Sequence, residues 1–181
     1  LTVAELTVFM WVLRFGKKQG QTDLKKSWEE RSQKFGNKVE GVATKSLPLA
    51  VNKKLDEWMF RQIEKVIKND STKKNEMRIL DLGCGYGRLS KPLLNKYPYV
   101  KTYGIDISKN YVSLYNKNLS PRGKATEGDI KKLKFRDNYF DCVFMVTTLM
   151  YLTTGEDQLK AIREITRVLK PAGKFVIIER S

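Results

Sequence analysis

Histidine is absent from the 181 residues of this chain. Its absence excludes a Ser-His-Asp triad, a histidine metal site and an imidazole general base, so we expect no metal. Cysteine is scarce, because only Cys84 and Cys142 occur and neither belongs to a CxxC pair. Two such residues cannot build a disulfide framework, so we predict reduced thiols in a cytoplasmic protein.

Acidic residues are outnumbered, with 20 Asp and Glu against 35 Lys and Arg, which gives a formal net charge of +15. The excess is spread over both halves of the chain, which favours a solvated, lysine-rich surface. Attraction to RNA or to an anionic lipid surface is the alternative. The densest basic stretch, 117–136, has Phe135 as its only aromatic residue and lacks the pattern typical of single-strand binding.

One long apolar run occurs, at residues 1–15. Thr2 and Glu5 have the spacing of a capping box, and Gly16 is a natural stop, so we predict a helix here. About 14 helical residues would extend roughly 21 Å, less than the roughly 30 Å hydrocarbon layer. We expect this helix to pack on the domain or in a dimer contact, with peripheral membrane attachment as the alternative. Because Leu1 opens the chain, a fragment or processed product is expected.

The chain changes its pattern at Met77. Before it, helices are predicted over 27–35 and 52–69, the second with apolar residues every three or four positions. After it, short apolar runs alternate with helical patterns and predict strands over 78–82, 101–105, 124–127, 140–146 and 174–179. Such alternation indicates parallel strands with right-handed crossovers. We therefore predict a doubly wound, mostly parallel α/β sheet, truncated after its fifth strand and preceded by a helical segment.

Three glycines, Gly83, Gly85 and Gly87, directly follow the strand predicted over 78–82. Ligands of doubly wound sheets lie beyond the carboxyl ends of the strands, where glycine lets the backbone turn sharply and approach them. The dinucleotide fingerprint GxGxxG would place its third glycine at Arg88. The nearby Asp81 would repel a diphosphate and attract an ammonium group. Spacing and charge together favour a zwitterionic, phosphate-free ligand over a nicotinamide dinucleotide.

Five segments carry a family resemblance: 79–87 (ILDLGCGYG), 103–108 (YGIDIS), 127–130 (EGDI), 140–144 (FDCVF) and 169–174 (LKPAGK). In this order and spacing they resemble the motifs of class I S-adenosylmethionine-dependent methyltransferases. The segment 27–36 resembles the N-terminal lid of their small-molecule, type 11 subgroup. The resemblance implies a Rossmann-like cofactor domain over 77–181 and a helical, lid-bearing segment over 1–76.

The resemblance also implies roles for individual residues. The glycine loop would hold the aminocarboxylate end of S-adenosylmethionine, and of its product S-adenosylhomocysteine, with Asp81 near the ammonium. Asp106 would accept both ribose hydroxyls, and Asp129 the adenine amino group. For Trp28, packing among the N-terminal helices is an equal alternative to cofactor contact. The implied cofactor contacts are Trp28, Asp81, Gly83, Cys84, Gly85, Tyr86, Gly87, Asp106, Ile107, Gly128, Asp129, Ile130 and Val146.

The methyl acceptor is expected near the end of the strand over 140–146, where Thr147 and Tyr151 are candidate contacts. The Asn/Asp-Pro-Pro-aromatic signature of amino-methylating DNA enzymes is absent from this segment. Neither cysteine falls where the pyrimidine C5 enzymes carry their nucleophile. These exclusions favour a small-molecule acceptor, and no catalytic residue is assigned. An RNA methyltransferase and a non-catalytic cofactor-binding module are the alternatives.

Overall fold

The computed structural model describes residues 12–13, 23–42, 47–68 and 76–180. The helices in these ranges are α1 (Leu24–Phe35), α2 (Leu49–Lys68), α3 (Ser90–Lys96), α4 (Lys109–Leu119) and α5 (Gly155–Val168). The strands are β1 (Val12–Leu13), β2 (Met77–Leu82), β3 (Val100–Asp106), β4 (Gly123–Glu127), β5 (Phe140–Val146) and β6 (Leu169–Arg180). Short 3-10 turns cover Val39–Gly41 and Leu149–Tyr151.

The strands form a sheet in the order β1-β6-β5-β2-β3-β4, and each neighbouring pair is parallel. From β2 the chain moves outward through β3 and β4, then returns to the other side of β2 for β5 and β6. This order confirms the predicted doubly wound α/β sheet. It also places a switch point between β2 and β5, where ligands of open α/β sheets lie.

Two hydrophobic cores cover the two faces of the sheet. On one face, Ile63 of α2, Leu93 of α3 and Tyr115 of α4 pack on the strands and are fully buried. On the other, Ile165 of α5 packs in a core with Phe140. β5 is buried along its whole length, as its apolar run predicts for a central strand. Each fully buried Ile or Leu side chain contributes about 1.5–3 kcal/mol, so these layers fix the strand ends that form the site.

Side chains at the helix starts explain where three helices begin. The hydroxyl of Ser108 accepts from the Tyr111 N–H at 3.2 Å, and that of Thr154 accepts from the Asp157 N–H at 3.1 Å, as is typical of N-cap residues. The first helix starts at Leu24 instead of residue 27, because Asp23 accepts from the Lys26 N–H at 3.2 Å.

The prediction of a helix through residues 1–15 is wrong at Val12 and Leu13. These two residues form β1 and pair in parallel with β6, opposite Glu179 and Arg180. The physical reason is the edge of β6, whose outward backbone groups need partners and can take them from an adjacent apolar strand. The remainder of 1–15, with its expected dimer or membrane contact, lies outside the described residues. Among the described helices, none combines the length and the apolar character needed to cross a membrane.

Candidate cofactor and acceptor site

A cavity of about 610 Å³ lies at the carboxyl ends of the strands, beside the switch point. It brings together most of the residues that the sequence predicts: Trp28, Gly83, Cys84, Gly85, Asp106, Ile107, Gly128, Asp129, Ile130, Val146, Thr147 and Tyr151. Asp81, Tyr86 and Gly87 do not line it. Sequence reasoning missed several other lining residues: Asp23, Leu24, Lys25, Val42, Arg88, Ile105, Tyr111, Glu127, Lys131, Thr148 and Leu152.

The glycine loop takes a conformation that other residues rarely adopt. Gly83 has φ +72° and Gly85 has φ +52°, and both belong to the left-handed region. The N–H groups of Gly83 and Cys84 donate to the Ile105 carbonyl at 2.8 and 3.1 Å, which ties the loop to β3. A Cβ on Gly83 would lie 2.2 Å from Oγ1 of Thr148, so the loop and the turn after β5 touch without room for a side chain.

Asp106 ends β3 and faces the cavity with its carboxylate held by two backbone donors. Its Oδ2 accepts from the Gly85 N–H at 2.9 Å, and its Oδ1 accepts from the Ser108 N–H at 2.9 Å. Burial raises the pKa of Asp106 above its ordinary value, and these two donors oppose the rise. A carboxylate offers about four acceptor sites, so the group retains capacity to accept from a ligand such as a vicinal diol.

Asp81 is placed beneath the loop and not in the cavity. Its carboxylate is almost fully buried and accepts from the Ser90 hydroxyl at 2.7 Å. Burial raises its pKa to about 7, against which the Ser90 hydrogen bond and the charge of Arg88 act. Asp81 therefore does not line the cavity in which its contact with an ammonium group is predicted.

Two more predicted contacts, Tyr86 and Gly87, serve the packing of the loop. The Tyr86 carbonyl accepts from the side-chain amide of Asn118 at 3.0 Å. A Cβ on Gly87 would lie 2.5 Å from Cδ1 of Leu119, so Gly87 lets the loop meet the end of α4 closely.

The loop after β4 also lines the cavity. The Gly128 N–H donates to the Asp106 carbonyl at 3.0 Å, which places this loop beside the carboxylate. Asp129 accepts from the Lys131 N–H at 2.8 Å and is itself exposed, so its carboxylate retains acceptor capacity toward a ligand. Ile130 is buried and adds an apolar wall.

Helix α1 lies across the cavity and contributes Trp28. The indole ring contacts Tyr151 edge to face, with ring centroids 5.3 Å apart, and lies 6.5 Å from the ring of Tyr111. Glu29 fixes the helix to the core, because its Oε2 accepts from the Ser108 hydroxyl at 2.8 Å. Trp28 therefore lines the cavity and also packs against Tyr111 and Tyr151. Its contact with a cofactor stays a prediction.

The positive charges of the cavity wall are neutralised locally. In the parts of the chain that the structure describes, its cations form ion pairs: Lys25 with Glu127, Arg88 with Asp56, and Lys131 with Asp129 and Asp157. No group of three or more Cys, Asp and Glu side chains suited to a metal ion occurs within the described ranges. The wall thus combines paired charges with the carboxylate of Asp106 and a cluster of aromatic rings.

A doubly wound sheet, a left-handed glycine loop after β2 and an acidic residue at the end of β3 are the features of a Rossmann-like, nucleoside-binding domain. Residues 80–177 match a methyltransferase domain family. The chain belongs to this family and, within the class I S-adenosylmethionine-dependent methyltransferases, to the type 11 group.

Curated relatives agree with this assignment. The chain is 30% identical to the uncharacterized methyltransferase YdaC of Bacillus subtilis over 129 residues, which cover 71% of this chain and 65% of YdaC. It is also 30% identical to a demethylmenaquinone methyltransferase of Thermotoga maritima over 122 residues, which cover 67% of this chain and 49% of that protein. The chain therefore spans about half to two thirds of the length of these relatives.

Solved structures share the fold. The YcgJ protein of Bacillus subtilis superposes with a TM-score of 0.54 at 26% identity, covering 67% of this chain and 50% of YcgJ. The [4+2]-cyclase SpnF superposes with a TM-score of 0.55 at 29% identity, covering 67% of this chain and 43% of SpnF. Since one neighbour is described as a cyclase, the reaction has to be argued from the site.

Proposed function

We propose that this chain binds S-adenosylmethionine in the cavity and transfers its methyl group to an uncharged small molecule. The observation that carries the proposal is Asp106, whose two oxygens are oriented by the N–H groups of Gly85 and Ser108 beside a left-handed glycine loop. Bound S-adenosylmethionine supplies an electrophilic methyl group on a cationic sulfur.

The residues present fit this cofactor. The Asp106 carboxylate suits the ribose hydroxyls, and Ile107, Asp129 and Ile130 offer two apolar side chains and an acceptor for adenine. The backbone of Gly83 and Gly85 lines the cavity, where it would contact the aminocarboxylate. The described cations that line the cavity are already paired with carboxylates. The carboxylate of Asp106 therefore favours a cationic ligand.

The acceptor side of the cavity supports an uncharged, largely apolar acceptor. Trp28, Tyr151 and Leu152 lie there with the hydroxyl group of Thr147, and the paired cations leave no ready partner for a phosphate or carboxylate. The names of several relatives agree with such an acceptor. They include demethylmenaquinone methyltransferases and a sterol 4-C-methyltransferase of Caenorhabditis elegans. An RNA acceptor, which the net charge of +15 would favour, lacks such support in the cavity.

The residues of the chain would act by alignment and by exclusion of water. Asp106 anchors one end of the cofactor, and the turn after β5 presents Thr147 and Tyr151 from the other side. Trp28 of α1 closes over them, which reduces the access of water to the reacting atoms. Holding two reactants in a fixed geometry is the main requirement for an in-line displacement.

Calorimetric titration tests the cofactor proposal, with S-adenosylmethionine, S-adenosylhomocysteine and NAD as ligands. We expect binding of the first two and no binding of NAD. The substitution Asp106→Asn should weaken both by about 1–3 kcal/mol, the range for hydrogen bonds to charged groups. Asp137→Asn is the matched control, because Asp137 is 68% exposed and does not line the cavity. NAD binding of similar strength, or equal effects of the two substitutions, would contradict the proposal.

A transfer assay with methyl-labelled cofactor tests the acceptor class. The acceptors are a short-chain demethylmenaquinol, a sterol and a bulk transfer RNA preparation. Label in the quinol or the sterol supports the proposal, and label in RNA alone contradicts it. Tight cofactor binding without transfer to any of them would favour the non-catalytic module.

A further inference from the structure

Glu179, near the end of β6, holds the turn that follows β5 through a set of backbone contacts. Its Oε1 accepts from the N–H of Thr148 at 2.8 Å and from that of Leu149 at 2.7 Å. Its Oε2 lies 3.4 Å from the N–H of Met150. Three consecutive amides at the start of a 3-10 turn therefore converge on one carboxylate, which supplies the partners that such a turn start otherwise lacks.

The residue before this turn, Thr147, has a backbone conformation that its surroundings have to enforce. Thr147 has φ +50°, which is unfavourable for a β-branched residue and persists only where the surroundings enforce it. On one side its N–H donates to the Ile178 carbonyl at 2.7 Å. On the other side Glu179 holds the amide of the next residue. Two consecutive residues of β6 thus hold Thr147 in this conformation.

This conformation sets what faces the cavity. Thr147, Thr148 and Tyr151 all line it, and Tyr151 meets the ring of Trp28 from the lid helix. The Thr148 hydroxyl lies 3.2 Å from the Leu82 carbonyl and packs against Gly83, so the turn also abuts the glycine loop. A relaxed Thr147 would redirect the chain at the position from which Tyr151 is presented.

We infer that Glu179 is a positioning residue for the methyl acceptor: it fixes the 147–151 turn and thereby the placement of Thr147 and Tyr151. The role of Thr147 and Tyr151 as acceptor contacts rests on the proposed function. The hydrogen bonds from the turn to Glu179 do not depend on it. Glu179 does not line the cavity, so we place its effect on the acceptor side in the backbone amides of the turn that it binds.

Amide hydrogen exchange, followed by NMR, tests the grip directly. Glu179→Ala should raise the exchange rates of the Thr148, Leu149 and Met150 amides at least tenfold. Glu179→Gln should protect Thr148 and Leu149 again, because a carbonyl oxygen at the Oε1 position still accepts from both, but should leave Met150 facing an NH2 group. A residue that merely stabilises the fold would give no such division between neighbouring amides.

Glu164→Ala is the matched control, because the Glu164 carboxylate also accepts from a backbone amide, that of Leu133 at 2.7 Å, outside the 147–151 turn. It should leave the three amides protected. Protected amides in Glu179→Ala, or equal rates in the Ala and Gln variants, would overturn the inference. The exchange pattern is readable without any ligand, so failure of the cofactor proposal does not affect this outcome.

The consequence for the acceptor is tested by two further measurements. Affinity for S-adenosylhomocysteine should change less than threefold in Glu179→Ala, because Asp106 and the loop after β4 stay in place. With the demethylmenaquinol as acceptor, kcat/KM should fall at least tenfold, while KM for S-adenosylmethionine stays within threefold. Weaker cofactor binding with unchanged acceptor kinetics would contradict the positioning role.

Discussion

Replacement of Asp81 by Asn should stabilise the folded chain at neutral and alkaline pH. Asp81 is 4% exposed, and burial raises its pKa from 3.8 to about 7. Asparagine has nearly the same shape, and its carbonyl oxygen can keep the hydrogen bond that the Ser90 hydroxyl donates to Asp81 at 2.7 Å. The substitution therefore removes a titratable group and leaves the packing almost unchanged.

The magnitude follows from the linkage between proton binding and folding. A carboxyl group whose pKa is raised by folding contributes stability below pH 3.8, and that contribution is lost as the pH rises toward about 7. Each tenfold change in proton affinity corresponds to about 1.4 kcal/mol, so the interval from 3.8 to about 7 amounts to roughly 4 kcal/mol. Above pH 7 the wild type carries the full cost of an ionised, buried Asp81.

Urea unfolding of both proteins between pH 4.5 and pH 8 measures this cost. We expect a small difference in unfolding free energy at the acid end and a growing advantage for Asp81→Asn up to pH 7, followed by a plateau. Asp137→Asn should show no such growth, because Asp137 is 68% exposed. A difference in unfolding free energy that stays constant with pH, or that shrinks as the pH rises, would refute the conclusion that burial raises the pKa of Asp81.

Two further predictions concern Gly83 of the glycine loop and Trp28 of helix α1. Gly83→Ala should lower the unfolding free energy by at least about 2 kcal/mol and weaken S-adenosylhomocysteine binding, because its φ is +72° and the new Cβ would lie 2.2 Å from Thr148. Gly155→Ala is the control in urea unfolding, since a Cβ there meets nothing within 4 Å, and an equal loss in both would contradict the reasoning. Trp28→Ala should lower the unfolding free energy by about 1–3 kcal/mol through its lost ring contacts, and Trp28→Phe should recover about half of it. If the Phe variant were no better than Ala in the same assay, the edge-to-face contact with Tyr151 would not hold helix α1 on the core.

The strands that form the centre of the sheet could be predicted well because their patterns are local. The run over 140–146 coincides with β5, and 78–82 differs from β2 by one residue. The error at Val12 and Leu13 has a different origin. Their apolar neighbours fit a helix, but the decisive partner is the edge of β6, more than 160 residues away in the chain.

The cofactor side of the site was predictable because its residues follow strands in a fixed order. Gly83, Gly85, Asp106 and Asp129 all come within a few residues of a strand end, and all line the cavity. Some of the lining residues that were missed, Leu24, Lys25 and Tyr111, lie on helices whose placement depends on packing. Others, such as Ile105, Glu127 and Thr148, lie at or next to strand ends, where the strand pattern alone does not show which side chains face the cavity. Asp23 is an exception, because its type and its position before an amphipathic segment are a cap signal that could have been recognised.

On both sides of the switch point, a carboxylate from one strand accepts hydrogen bonds from the loop of the neighbouring strand. Asp106, on the strand next to β2, accepts from the Gly85 amide in the loop after β2. Glu179, on the strand next to β5, accepts from amides in the turn after β5. Each outer strand thus supplies a carboxylate that holds the loop of its inner neighbour, and the two loops meet where Thr148 packs on Gly83. Neither contact is visible in the local sequence pattern. The sequence of the glycine loop therefore could not predict that Glu179 holds the turn after β5.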